Sequence, residues 1–139
     1  MKNANWIRAK RSEDSECSVF IKRIFIDNDV KKAVAMATAI GTYELYVNGQ
    51  KAGDAYFAPG WTSYHNRIQY QRYDVISLLR KGENEISIVA APGWAVGYIG
   101  KGNTNRMFFD HISVTASITI EYPGARQRQS SNRHRRRSR

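Results

Sequence analysis

An all-β fold, an antiparallel β-sandwich or jelly roll, is the class this sequence predicts, and three observations carry it. Residues 111–120, HISVTASITI, place Ile112, Val114, Ala116, Ile118 and Ile120 on one side and Ser113, Thr115, Ser117 and Thr119 on the other. A period of two means one buried and one wet face. Short β-branched or aromatic runs recur along the chain with turn residues between them, the pattern of sandwiches and jelly rolls. Helical character is confined to residues 74–82.

Taken in order, SVFIKRIFI (18–26) is rich in β-branched and aromatic residues, and VAMATAI (34–40) is an apolar run ending at Gly41. TYELYV (42–47) meets Asn48-Gly49 and QKAGD returns from it, the strongest short hairpin signal. In RIQYQRYDV (67–75), Ile68, Tyr70 and Arg72 share one face and Gln69, Gln71 and Tyr73 the other. Asp74 is placed to cap one turn of DVISLLRKG, with Leu78 and Leu79 anchoring it and Gly82 ending it. EISIVA (85–90) turns Ile86 and Ile88 inward. From Pro123 to Arg139 only Ala125 is apolar beyond the Pro-Gly pair, and such a segment cannot offset its ordering entropy. The expected organisation is a sandwich over 1–122 and a disordered arginine-rich tail over 123–139.

With 139 residues and 42 % hydrophobic content, the chain suffices for one domain with a real core. No apolar run approaches a membrane span, so no membrane partner is expected. The opening MKNANWIRAKRSEDSEC has no apolar signal core, and Cys17 is the single cysteine. Both features fit a reducing, cytoplasmic setting. The net charge of +10 is concentrated in the tail: seven arginines follow Glu121, leaving 15 basic against 12 acidic residues before them. The tail could hold nucleic acid through counterion release, yet it lacks the interleaved aromatics of single-strand binders. Nucleic acid is not the expected partner.

No catalytic pair stands out. Asp27, Asp29, Asp54, Asp74, Glu83 and Glu85 flank turns or caps, and Glu13, Asp14 and Glu16 crowd the N-terminal segment. His65, His111 and His134 lack metal spacing, so neither metal nor cofactor is expected. GYIGKGN fails as a phosphate loop because Gly102, not Ser or Thr, follows Lys101. The conspicuous feature is Ala-Pro-Gly-Trp, present at 58–61 and again at 91–94, with Tyr64 and Tyr98 a few residues on. Trp61, Tyr64, Trp94 and Tyr98 offer flat plates with polar edges. Such plates suit the C–H face of a pyranose, with Asn66, Arg67, Asn103 and Asn105 at hand for its hydroxyls. Equally, Trp61 and Trp94 could plug the ends of the sandwich.

These residues carry a resemblance. Tyr43-Glu44-Leu45-Tyr46-Val47-Asn48-Gly49, Gly53-Asp54 and Ala58-Pro59-Gly60-Trp61-Thr62 begin it. Gln69-Tyr70-Gln71, Tyr73-Asp74-Val75, Leu78-Leu79, Gly82-Glu83-Asn84 and Gly93-Trp94 with Gly97 continue it. Together, with Trp6 and the lead-in from Cys17 to Phe25, they resemble the N-terminal β-sandwich domain of bacterial α-L-rhamnosidases over residues 6–122. The resemblance implies a galactose-binding-like jelly roll that aids substrate recognition beside a separate (α/α)6 catalytic barrel. That barrel, with its acid and base, would lie downstream, so no catalytic residue carries over. The expected carbohydrate-binding residues are Trp94, Tyr98, Trp61, Tyr64 and Arg67, the resemblance favouring the two tryptophans. The implied partners are a rhamnose-containing glycoside, bound weakly, and the barrel of the parent enzyme. A purely structural interface domain and a basic-tailed nucleic-acid binder are the competing functions. The arginine bias after Tyr122 further predicts a sandwich incomplete at its C-terminus, a truncated chain whose last strand bares an unpaired, aggregation-prone edge.

Overall fold

Alternating polarity builds two four-stranded antiparallel sheets. The computed structural model describes residues 4–9, 16–102 and 104–124; Asn103 and the arginine-rich tail from residue 125 lie outside them. One sheet runs β1 (Ile7–Arg8), β8 (Ser113–Glu121), β3 (Lys32–Ile40), β6 (Gln71–Asp74). The other runs β2 (Ser18–Ile26), β7 (Gly82–Ala91), β4 (Thr42–Val47), β5 (Gln50–Lys51). Among the described residues helix is confined to one 3₁₀ turn (Ile76–Leu78) and one short α-helix, α1 (Gly93–Val96).

The run VAMATAI looks uniformly apolar but folds with period two. Ala33, Ala35, Ala37 and Ala39 point inward and are fully buried. Their small side chains leave room for Tyr43, Leu45 and Val47 of β4, and for Tyr73. Tyr43 Oη donates to the Ala37 carbonyl at 2.8 Å and lies 3.0 Å from Tyr73 Oη. Burial, then the bond to Tyr73, raises the Tyr43 phenol far above its ordinary range, so it stays protonated.

Three sequence expectations need correction. Of RIQYQRYDV only Gln71–Asp74 is strand, and the core residue is Tyr73, while Tyr70 and Arg72 are exposed. The chain before Gln71 crosses the outer face of the first sheet instead, where Thr38 Oγ1 donates to the Gln69 carbonyl at 2.5 Å. Accordingly β8 is not wet on one side throughout: Ser113 and Thr115 are buried as well as Val114. Gly82 opens β7 and does not end the preceding turn; the cap of that turn is Val75, and Asp74 lies just outside it, its Oδ1 accepting from Ile76 N at 3.1 Å.

The Asn48-Gly49 turn, with φ of 51° and 79°, joins β4 to β5 as the hairpin signal requires. Across this hairpin Glu44 accepts from Lys51 Nζ at 2.8 Å and from the Tyr46 hydroxyl at 2.6 Å. The Lys51 bond first, and the Tyr46 bond second, hold the Glu44 carboxyl below its ordinary range. The bond from Glu44 raises the Lys51 ammonium above its own. A lowered carboxyl stabilises the fold above its unfolded-chain pKa, and that contribution is lost as pH falls through the folded value; a raised ammonium contributes below its unfolded-chain pKa and loses it as pH rises through the folded value. The pair thus acts across neutral pH. Glu44→Gln should flatten the acid limb of stability against pH, measured as urea midpoints. Parallel curves for the two proteins would refute this.

The flank carrying β2 and β8 is open. β8 pairs with β3 along its length but with β1 only at Val114 and Ser113. From Thr115 to Glu121 its other edge is unpaired among the described residues. A cleft of about 320 Å³ between the sheets there is lined by Ile24, Ile86, Ala116, Ile118 and Ile120, with Lys22. Lys22 shares the inward register of Phe20 and Ile24, and an inward charge on an edge strand discourages pairing with another chain. Lys22→Val should increase self-association in sedimentation at equal concentration. An unchanged distribution would deny Lys22 that role.

Candidate functional site

The two Ala-Pro-Gly-Trp segments fold differently. In the first, the Ala58–Pro59 bond is cis and Gly60 N donates to the Phe57 carbonyl at 2.9 Å, closing a turn. In the second, Pro92 leads into α1, with Val96 N on the Pro92 carbonyl at 3.1 Å and Gly97 N on the Gly93 carbonyl at 2.9 Å. The loop beyond α1 is tied back to it: Arg106 N reaches the Val96 carbonyl at 2.9 Å and Phe109 N the Ala95 carbonyl at 3.1 Å.

These ties bring the rings together over the outer face of the first sheet. Tyr64, Ala95 and Val96 form a second small core with Ile40, Ile68, Trp94, Phe108 and Phe109. The Tyr64 ring lies 5.0 Å from Phe108 and 6.1 Å from Trp61. Trp61 stands edge-on to Trp94 at 6.3 Å and to Phe108 at 6.1 Å. Such edge-on aromatic pairs each contribute about 0.5–1.5 kcal/mol beyond burial. His65 leans on Phe108 at 5.7 Å, and Phe57 on Trp94 at 6.0 Å.

The residues singled out in the sequence occupy different depths. Tyr64 is buried, and its hydroxyl has no hydrogen-bond partner among the described residues; burial raises its phenol above the ordinary range. Trp94 is half-buried. Trp61 is 56 % exposed and Tyr98 53 %. Arg67 is exposed; its N–H donates to the Ser63 carbonyl at 3.0 Å and its own carbonyl accepts from Thr62 Oγ1 at 3.1 Å. Asn66 Nδ2 donates to Ser63 Oγ at 3.0 Å within the same turn. Phe57, His65, Phe108 and Phe109 complete the cluster without having been singled out as site residues. Phe57, directly before the first Ala-Pro-Gly-Trp, and His65, directly after Tyr64, gave a signal in the sequence; Phe108 and Phe109 did not.

Beside the cluster, His111 Nδ1 bonds the Asp110 carboxylate, which this bond, then the imidazole's charge, holds below its usual range. Among the described residues no three of His, Cys, Asp and Glu converge as a metal site. What the arrangement offers chemically is an exposed apolar plate, the Trp61 indole, braced by edge-on rings.

Comparison with known proteins places the fold. A family profile described as the alpha-L-rhamnosidase N-terminal domain matches residues 28–135, running past the boundary read at 122. An α-L-rhamnosidase of Streptomyces avermitilis is 40 % identical over 93 residues, 67 % of this chain and 9 % of that protein. The crystal structure of native α-L-rhamnosidase from Aspergillus terreus superposes with a TM-score of 0.79 at 30 % identity, over 85 % of this chain and 14 % of that one. The Streptomyces avermitilis α-L-rhamnosidase complexed with L-rhamnose gives 0.73 at 34 %, over 78 % of this chain and 10 % of that one. The chain therefore spans about a tenth of the length of these relatives.

Proposed function

Because the chain belongs to the alpha-L-rhamnosidase N-terminal domain family, we propose that it is a non-catalytic substrate-recognition and packing module of an α-L-rhamnosidase, a glycoside hydrolase acting on terminal rhamnose. The observation that carries this reading is the Trp61 indole, more than half exposed yet fixed by Tyr64, Trp94 and Phe108. A pre-positioned plate loses little freedom when a sugar ring stacks on it. Trp94 and Tyr64 serve as its support. Hydrolysis belongs to the remainder of a longer enzyme, whose barrel is the proposed packing partner. A lone stacking site of this kind binds L-rhamnose at millimolar strength, about 4 kcal/mol.

The burial of Tyr64 and half-burial of Trp94 favour a second reading, a structural interface domain whose aromatics only fill space. Collisional quenching separates the two. L-rhamnose should shield part of the tryptophan emission from acrylamide, and Trp61→Phe should abolish the shielded fraction. Quenching indifferent to L-rhamnose would favour the interface reading.

A further inference from the structure

The outer face of the second sheet carries a separate concavity. By register, Thr42 stands beside Ala91, and Glu44 beside Val89, all on the face turned away from the core. The segment after β5 folds back here, with Tyr43 N donating to the Ala58 carbonyl at 2.7 Å. It raises Tyr56 and Phe57, 75 % and 67 % exposed, as a wall over these small side chains. The resulting cleft of about 300 Å³ has Cys17 on its lining, at the lower limit of small-molecule sites.

Three features make this more than an apolar dent. Phe57 holds a left-handed backbone (φ 55°), a conformation that costs a residue without special tolerance about 1–3 kcal/mol and concentrates at ligand clamps. Glu44 is fixed by both Lys51 and Tyr46, and each carboxylate oxygen keeps a lone pair for another donor. Lys51 Nζ also sits 3.8 Å from the centre of the Tyr56 ring, a cation–π contact that favours this position of the ring. The Glu44–Lys51 pair is neutral overall, so the cleft neither attracts nor needs a charged ligand.

We propose that this cleft is a second binding site, for a neutral pyranose whose C–H face lies on Tyr56 and whose hydroxyl donates to Glu44. A pyranose combines a flat apolar face with donors at its rim, as the aromatic wall and placed carboxylate require. The cleft meets the aromatic cluster at Phe57, whose ring lies 6.0 Å from Trp94, but Trp61 does not line it.

Cys17, the only cysteine in the chain, makes occupancy directly readable on the full protein. Its alkylation by iodoacetamide should slow saturably with methyl α-L-rhamnopyranoside or methyl β-D-glucopyranoside. Mannitol, a polyol without a rigid ring face, should leave the rate unchanged. Tyr56→Ala, at a largely exposed position, and Glu44→Gln, of equal shape, should each weaken the protection about tenfold, whereas Trp61→Ala should retain it. The proposal is overturned if neither pyranoside protects Cys17, if mannitol protects as well, or if protection survives both cleft variants. It is equally overturned if Trp61→Ala alone abolishes it.

Discussion

Replacing Asn84 by alanine is expected to destabilise the domain by roughly 3–5 kcal/mol. Asn84 is fully buried, and its amide is used at both ends. Oδ1 accepts from Asn48 Nδ2 at 2.8 Å and from Arg80 N at 2.9 Å. Nδ2 donates to the Arg80 carbonyl at 2.7 Å and the Gly82 carbonyl at 3.0 Å. Alanine leaves these four groups without their partner, and a buried orphan costs about 1–3 kcal/mol. Asn48 extends the effect to the hairpin, since its Nδ2 also donates to the Leu78 carbonyl at 2.8 Å and its Oδ1 accepts from Glu85 N at 3.0 Å. Thermal unfolding should show a Tm lower by about 10 °C or more. A shift of only a degree or two would mean that the network is dispensable.

Gly41→Ala should have a comparable effect for a different reason. Gly41 turns the chain from β3 into β4 at φ +125°, and a Cβ there would come within 2.3 Å of the Ala91 carbonyl oxygen. Backbone strain and the clash together should cost about 2–5 kcal/mol. Because Ala91 leads through Pro92 into α1, relief of the clash must move the helix that carries Trp94. The variant should therefore melt early and also change its tryptophan emission at temperatures where it is still folded. Native emission and a native Tm in Gly41→Ala would contradict this geometry.

The strands were legible where local chemistry and tertiary pairing agree. β2 and β4 begin and end where the β-branched runs and Asn48-Gly49 place them, and Ile86 and Ile88 are buried as their alternation implies. The shortfall at β6 has a tertiary cause: residues 67–70 have strand-like composition, but Thr38 and the Tyr64 cluster draw them across a sheet face. α1 was hidden because Pro-Gly reads as a turn, and four residues give no helical period. In the aromatic cluster, Trp61, Tyr64 and Trp94 were visible through the repeated motif. Phe108 and Phe109 were not, since their place depends on backbone bonds from the loop to α1 that no sequence period reports. The same limit applies to depth: the same three preceding residues leave Trp61 exposed and Trp94 half-buried, because one follows a turn closed by Gly60 N on the Phe57 carbonyl and the other sits inside a helical turn. The cleft beside Glu44 was equally unmarked, as it arises from strand register and the fold-back of Tyr56 and Phe57.

Calorimetric titration of the full chain with L-rhamnose, repeated on Trp61→Ala, tests the recognition reading most directly. The expected result is saturable binding of millimolar strength that Trp61→Ala loses. Heat no greater than dilution, or binding equal in the two proteins, would contradict a sugar-recognition role for the aromatic face.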